Sequence, residues 1–186
     1  MIDIEIISQK KITKPKKVQV FELTFKENGK IKEREVIKEL DIVKIVLFHK
    51  EKNALLLIKQ FRPALYINHP NLGKRIELCG GRVDKKGKSI EAIALEEVIE
   101  ETGYKPKKLE PITTVYEGGK RYFFYAEIDE SMKVNDGGGI DEEDIELYFL
   151  SVEKINEFLY DDSMIKRTGT FLGLQWFYCN KVVKNG

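Results

Sequence analysis

The segment from Gly80 to Tyr104, GGRVDKKGKSIEAIALEEVIEETGY, crowds acids onto a stretch that otherwise reads as a strong helix. Ser89 is an N-cap type residue, no Pro or Gly interrupts the run to Thr102, and Gly103 stands where a helix stops. At about 100° per residue, Glu97, Glu100 and Glu101 share one stripe, while Leu95, Val98 and Ile99 point broadly the other way, into a core. Glu97/Glu101 and Glu96/Glu100 are like-charge i,i+4 pairs, each destabilising by roughly 0.2–0.5 kcal/mol. Glu100 and Glu101 also sit near the unfavourable negative end of the helix dipole.

Two readings follow. One is a solvated acidic face with no ligand, the usual meaning of a charge run. The other is a cation site, because a bound cation reverses the sign of the repulsion. Carboxylate oxygens without Cys or His suit a hard ion, and a site that keeps positions open for water and phosphate suits Mg²⁺ or Mn²⁺.

Outward from this helix, the 186 residues can bury one good core, so one main domain with a small addition is expected. Charged residues make up 34% of the chain yet nearly balance to a net +1, which gives no reason to expect nucleic-acid or membrane binding. Cys79 and Cys179 are far apart and lack metal-ligand spacing, so they read as reduced thiols in a cytoplasmic protein. No signal peptide and no membrane-spanning run is expected.

Before the acidic helix, Ile2 to Ile7 alternates as a strand does, and the basic run Lys10 to Lys17 reads as a solvated loop. Asn28-Gly29 lies between the strand-like runs Gln19–Lys26 and Ile31–Ile37, a strong hairpin signal. Residues 1–40 therefore form a small antiparallel β unit, too thin to stand alone, and 41–186 the main domain. Asp41 to His49 and Asn53 to Phe61 are apolar strands at the centre of a sheet. Asn68 to Lys74 reads as loop, and Glu77-Leu78-Cys79 as a short strand running into Gly80-Gly81.

After the acidic helix, Leu109 to Tyr116 and Arg121 to Ile128 form a second hairpin. Gly137-Gly138-Gly139 and Asp141 to Asp144 make a mobile acidic loop, and Ile145 to Leu150 a strand. Val152 to Tyr160 and Thr168 to Lys181 are helical by spacing. The fold class is α+β, a mixed sheet flanked by helices. His49 and His69 have no neighbour in sequence that suggests a ligand or base.

Glu97-Val98-Ile99-Glu100-Glu101-Thr102-Gly103-Tyr104, after Gly-Gly and a short loop, resembles the second half of the Nudix box, G-x5-E-x7-R-E-U-x-E-E-x-G-U with U apolar. The first half departs from it: the loop from Gly81 is one residue longer, Lys88 stands at the first Glu, and Glu96 at the Arg. The likeness extends through Lys59-Gln60-Phe61-Arg62-Pro63-Ala64, Glu77 to Asp84, Gly137 to Gly139 and Trp176-Phe177, and is to the UDP-sugar and ADP-ribose diphosphatase branch.

The resemblance implies a Nudix-type α/β/α sandwich with an N-terminal β extension. It further implies Mg²⁺ or Mn²⁺ held by Glu97, Glu101 and Glu100 with the carbonyl of Gly80, and Glu143 as base. Arg62 would grip the diphosphate, and Glu77 would lie beside substrate or metal. Such enzymes are homodimers whose N-terminal strands reach the partner's site. A base would stack near that seam, where Phe21 is a weak candidate; core packing is the simpler role for it. The implied activity is hydrolysis of a nucleoside diphosphate sugar such as UDP-glucose to a nucleoside monophosphate and a sugar 1-phosphate. ADP-ribose is the alternative substrate, and a non-catalytic nucleotide-binding module the alternative of another class.

Overall fold

The structure, a computed structural model, describes residues 7–8, 14, 18–69, 72–140 and 143–185. Most of the expected N-terminal strand from Ile2 and of the basic run Lys10 to Lys17, and Asp141 of the acidic loop, lie outside these residues. The chain divides into two compact units, residues 1–39 and 40–186.

In the first unit, β1 (Gln19–Glu27) pairs antiparallel with β2 (Lys30–Lys38). Asn28 and Gly29 join them with φ of 51° and 78°, the positive values that a two-residue turn matched to strand twist requires. The apolar side chains of this ribbon are open: Val20 is 52% exposed, Phe21 46% and Ile31 74%. The expectation that Phe21 packs in a core is therefore corrected. A two-stranded ribbon has no second layer to bury it.

The second unit is built on β3 (Ile42–His49), β4 (Ala54–Phe61), β5 (Lys74–Glu77), β6 (Glu110–Tyr116), β7 (Lys120–Ile128) and β8 (Ile145–Ser151). Strand β3 runs parallel to β7, while β4 is antiparallel to β3, β5 and β8, so the sheet is mixed. Side chains alternate between its faces as the pleat demands. Val43, Ile45, Leu47, Leu56 and Ile58 pack with Ile93, Ala94 and Val98 of α2 (Ile90–Thr102). Val46, Leu55 and Leu57 pack on the opposite side with Ile155, Phe158, Leu174 and Phe177, from α3 (Ile155–Tyr160) and α4 (Thr168–Phe177). Each such side chain contributes about 1.5–3 kcal/mol of burial. The result is the expected α/β/α sandwich.

One departure from a simple sheet positions the site. Strands β3 and β4 pair only from Leu47 to His49, and beyond that they part. The chain from Lys74 enters the gap, pairing first with β4 and then, through Cys79 and Arg82, with β3. The strand expected at Glu77 to Cys79 is thus shifted: regular pairing ends at Glu77, where the chain changes neighbour. A short helix, α1 (Pro63–Asn68), stands where only an exit from β4 and the beginning of a loop were expected. Pro at its first turn starts it, and His69 closes it by donating its backbone N–H to the Leu65 carbonyl at 2.8 Å.

Candidate active site

Gly80 and Gly81 lie where the chain crosses from β4 to β3. The Cys79 and Gly81 carbonyls accept from the amides of Ile45 and Val43, both at 2.9 Å. Gly80 has φ of 146°, and a Cβ there would fall 2.1 Å from the Val43 carbonyl oxygen. A Cβ on Gly81 would fall 2.2 Å from Glu97 Oε2. Only glycines let the backbone approach α2 this closely.

Helix α2 begins at Ser89, whose Oγ accepts from the Ala92 amide, and ends at Gly103 in the left-handed region. Its acids are not one solvated stripe. Glu101 is buried, and its Oε2 accepts from the Gly80 amide at 2.8 Å, while Leu95 and Ile99 are only partly covered. The glycine bend rather than the hydrophobic core occupies that flank of the helix, so the glutamates face the bend. Burial pushes the Glu101 carboxyl up, against the pull of Lys44 and the Gly80 amide. Burial, with Glu101 next to it, raises Glu97 to about 7. These two acids are crowded without full compensation.

Farther out, Lys85 Nζ lies 3.1 Å from Glu96 Oε2, 3.2 Å from Glu100 Oε1 and 3.8 Å from Glu97 Oε1. Lys88 pairs with Glu96. The two departures from the box are therefore complementary in charge: Lys where the pattern has Glu, Glu where it has Arg, and the pair is kept with its polarity reversed. Glu143 is exposed, with the Ile140 amide 3.4 Å from its Oε2.

Opposite the acids stands a basic group gathered on one carboxylate. Glu77 is fully buried, and its Oε1 accepts from Arg62 Nε at 2.6 Å and Arg75 Nε at 3.1 Å. Lys44 Nζ and Arg167 Nη1 stand 4.0 and 3.9 Å from Oε2, which has no hydrogen-bond partner. Burial pushes the Glu77 carboxyl up, but Lys44, Arg62 and Arg75 outweigh it and hold the group below the usual carboxylate range. Burial lowers the Lys44 ammonium, against the attraction of Glu77 and Glu101.

A cavity of about 490 Å³ separates the two groups, with Lys44, Arg62, Arg82 and Arg167 on its wall together with Gly80, Glu97, Glu100, Glu101 and Glu143. The structure thus brings Arg62, Gly80, Glu97, Glu100, Glu101 and Glu143 to one cavity, with Glu77 behind the wall as the hub of the basic side. Lys44, Arg75, Lys85 and Arg167 were not anticipated. Lys44 carried a signal, a lone charge within Val43-Lys44-Ile45-Val46-Leu47. Arg167 carried none.

The donor set fits a hard divalent ion: carboxylates only, partly buried, with Glu97 held up near neutrality by burial and by the like charge of Glu101. No three of these oxygens lie within 4.8 Å of one another; among the described residues only donors of His49, Glu51 and Glu130 do. That second cluster already has its cation. Lys52 Nζ pairs with Glu130 and lies 3.4 Å from His49 Nε2, and burial lowers the His49 pKa.

A mixed sheet between helices, with a glycine bend set against an acidic helix and a basic wall opposite, defines a phosphoanhydride-processing class of site. The NUDIX domain family matches residues 39–172. The uridine diphosphate glucose pyrophosphatase of Bos taurus is 30% identical over 190 residues, covering 84% of this chain and 86% of that protein. The GDP-mannose pyrophosphatase of Pectobacterium atrosepticum is 36% identical over 162 residues, covering 84% and 82%. That of Citrobacter koseri is 37% identical over 133 residues, covering 68% and 69%. The chain belongs to the Nudix family and is a hydrolase. No helix among the described residues is long and apolar enough to cross a membrane.

Proposed function

We propose that this protein is a Mg²⁺-dependent pyrophosphatase of nucleoside diphosphate sugars, releasing a nucleoside monophosphate and a sugar 1-phosphate. The observation that carries the reading is the opposition of acids and bases across one cavity: a diphosphate neutralises the basic wall while its metal neutralises the acidic one. The names of the relatives favour UDP-glucose or GDP-mannose over ADP-ribose.

Glu97, Glu101 and Glu100 hold the metal, with the Gly80 carbonyl as a further oxygen donor. Bound there, Mg²⁺ supplies polarisation of the phosphoryl oxygens and a water of lowered pKa. Mn²⁺ meets the same oxygen-donor requirements. Arg62, its Nε fixed by Glu77, keeps its terminal nitrogens for phosphate oxygens, a geometry suited to paired hydrogen bonds. Lys44 and Arg167 add charge on the same wall. Glu143 takes the proton of the attacking water as one P–O bond of the anhydride breaks. A recess of about 160 Å³ lined by Val115, Phe123 and Leu172 lies beside the cavity and shares Lys44 and Arg167 with its wall.

The exposed apolar ribbon of residues 19–38 supports a homodimer in which a second copy covers it, and the two free thiols agree with a cytoplasmic location. The test of function is a panel of UDP-glucose, GDP-mannose, ADP-glucose and ADP-ribose with Mg²⁺, compared by kcat/KM with products identified. Preferred cleavage of a nucleotide sugar to the monophosphate supports the reading. ADP-ribose as best substrate moves it to the alternative, and no turnover of any overturns it.

A further inference from the structure

We propose that Lys85 is a tethered counter-ion of the α2 carboxylates, displaced from Glu97 and Glu100 when a divalent ion enters. This rests on the reading that those glutamates hold the metal. One ammonium is shared at 3.1, 3.2 and 3.8 Å among Glu96, Glu100 and Glu97, and the last two are carboxylates assigned to the ion. The ammonium and the ion draw on the same oxygens, so loading the site is an exchange rather than a simple addition.

The neighbouring contacts are arranged for such an exchange. Glu96 is not assigned to the metal and is also paired with Lys88, so Lys85 keeps an anchor at Glu96 when it leaves the other two. Glu101, the innermost acid, is held by the Gly80 amide and owes nothing to Lys85, so the inner ligand stays in place during the swap. Lys85 also lines the cavity itself, together with Glu97 and Glu100. The consequence is a metal-free site that does not fly apart and a metal affinity held below what the bare carboxylates would give.

Two partly exposed ion pairs given up on loading correspond to Mn²⁺ binding about 3–10-fold tighter without them. The experiment titrates Mn²⁺ by electron paramagnetic resonance into the full chain and into Lys85→Met, Lys85→Arg, Lys88→Met and Glu101→Gln, with melting curves in chelator and in Mg²⁺. Lys85→Met should tighten Mn²⁺ by that factor and melt lower in chelator, with Mg²⁺ closing the gap. Lys85→Arg should stay near the parent, and Lys88→Met should leave the affinity unchanged. An unaltered affinity in Lys85→Met, or an equal rise in Lys88→Met, overturns the proposal. If the parent has no Mn²⁺ site that Glu101→Gln removes, the metal reading itself falls. If it has one and Lys85→Met does not change it, only the tethered counter-ion falls.

Discussion

The two walls of the cleft are charge inverses of each other. Behind one, four cations, Lys44, Arg62, Arg75 and Arg167, gather within 4.0 Å of the buried Glu77, and all but Arg75 line the cavity. On the other, three acids, Glu96, Glu97 and Glu100, gather on Lys85. The basic wall is stiffened from behind, because its hub is fully buried and its pKa is held down by its partners. At the inner end of the acidic wall, burial and the neighbouring Glu101 raise Glu97 to about 7. The two halves are prepared differently: the basic side is held together by a buried carboxylate, whereas the acidic side keeps a crowded carboxyl held near neutrality.

Four perturbations break or sharpen that contrast. Glu77→Gln should do the most damage to the fold, about 3–5 kcal/mol in urea denaturation, because it leaves the buried Lys44 and the half-buried Arg62 and Arg75 without their shared carboxylate. If Glu77 served substrate alone, stability would hold and only KM would move. Glu101→Gln should fold but lower kcat at least about 10²-fold, the usual loss for a charge-stabilising catalytic group.

Glu97 sets a pH dependence. Its folded pKa of about 7 lies above the ordinary glutamate value of 4.5, so the folded state binds the proton more tightly. Chelator-treated protein should therefore lose stability as pH rises from about 5 to about 7, by an amount of order 2 kcal/mol that Glu97→Gln abolishes. Metal should restore it above neutrality. The smallest effect belongs to the outer pair: Lys88→Glu and Glu96→Lys should each lower the melting temperature slightly, and the double variant should recover it.

The bounds of α2 were legible because local chemistry writes them, Ser89 at one end and Gly103 at the other. The Asn28-Gly29 hairpin and the central strands were legible for the same reason. The burial of Glu101 was not, since a helical wheel holds no information that the Gly80 amide of another segment waits for that carboxylate. Nor was the basic wall: residues 44, 62, 75, 77 and 167 meet only because the chain from Lys74 inserts where β3 and β4 part, a consequence of tertiary pairing. The Nudix resemblance supplied Arg62 and Glu77, but not the cations that share Glu77 with Arg62.

The most direct test of the metal reading is anomalous diffraction from crystals soaked in Mn²⁺. The account predicts a peak between the Gly80–Gly81 bend and the carboxylates of Glu97, Glu100 and Glu101. A peak at His49, Glu51 and Glu130 instead, with α2 bare at saturating Mn²⁺, would contradict it.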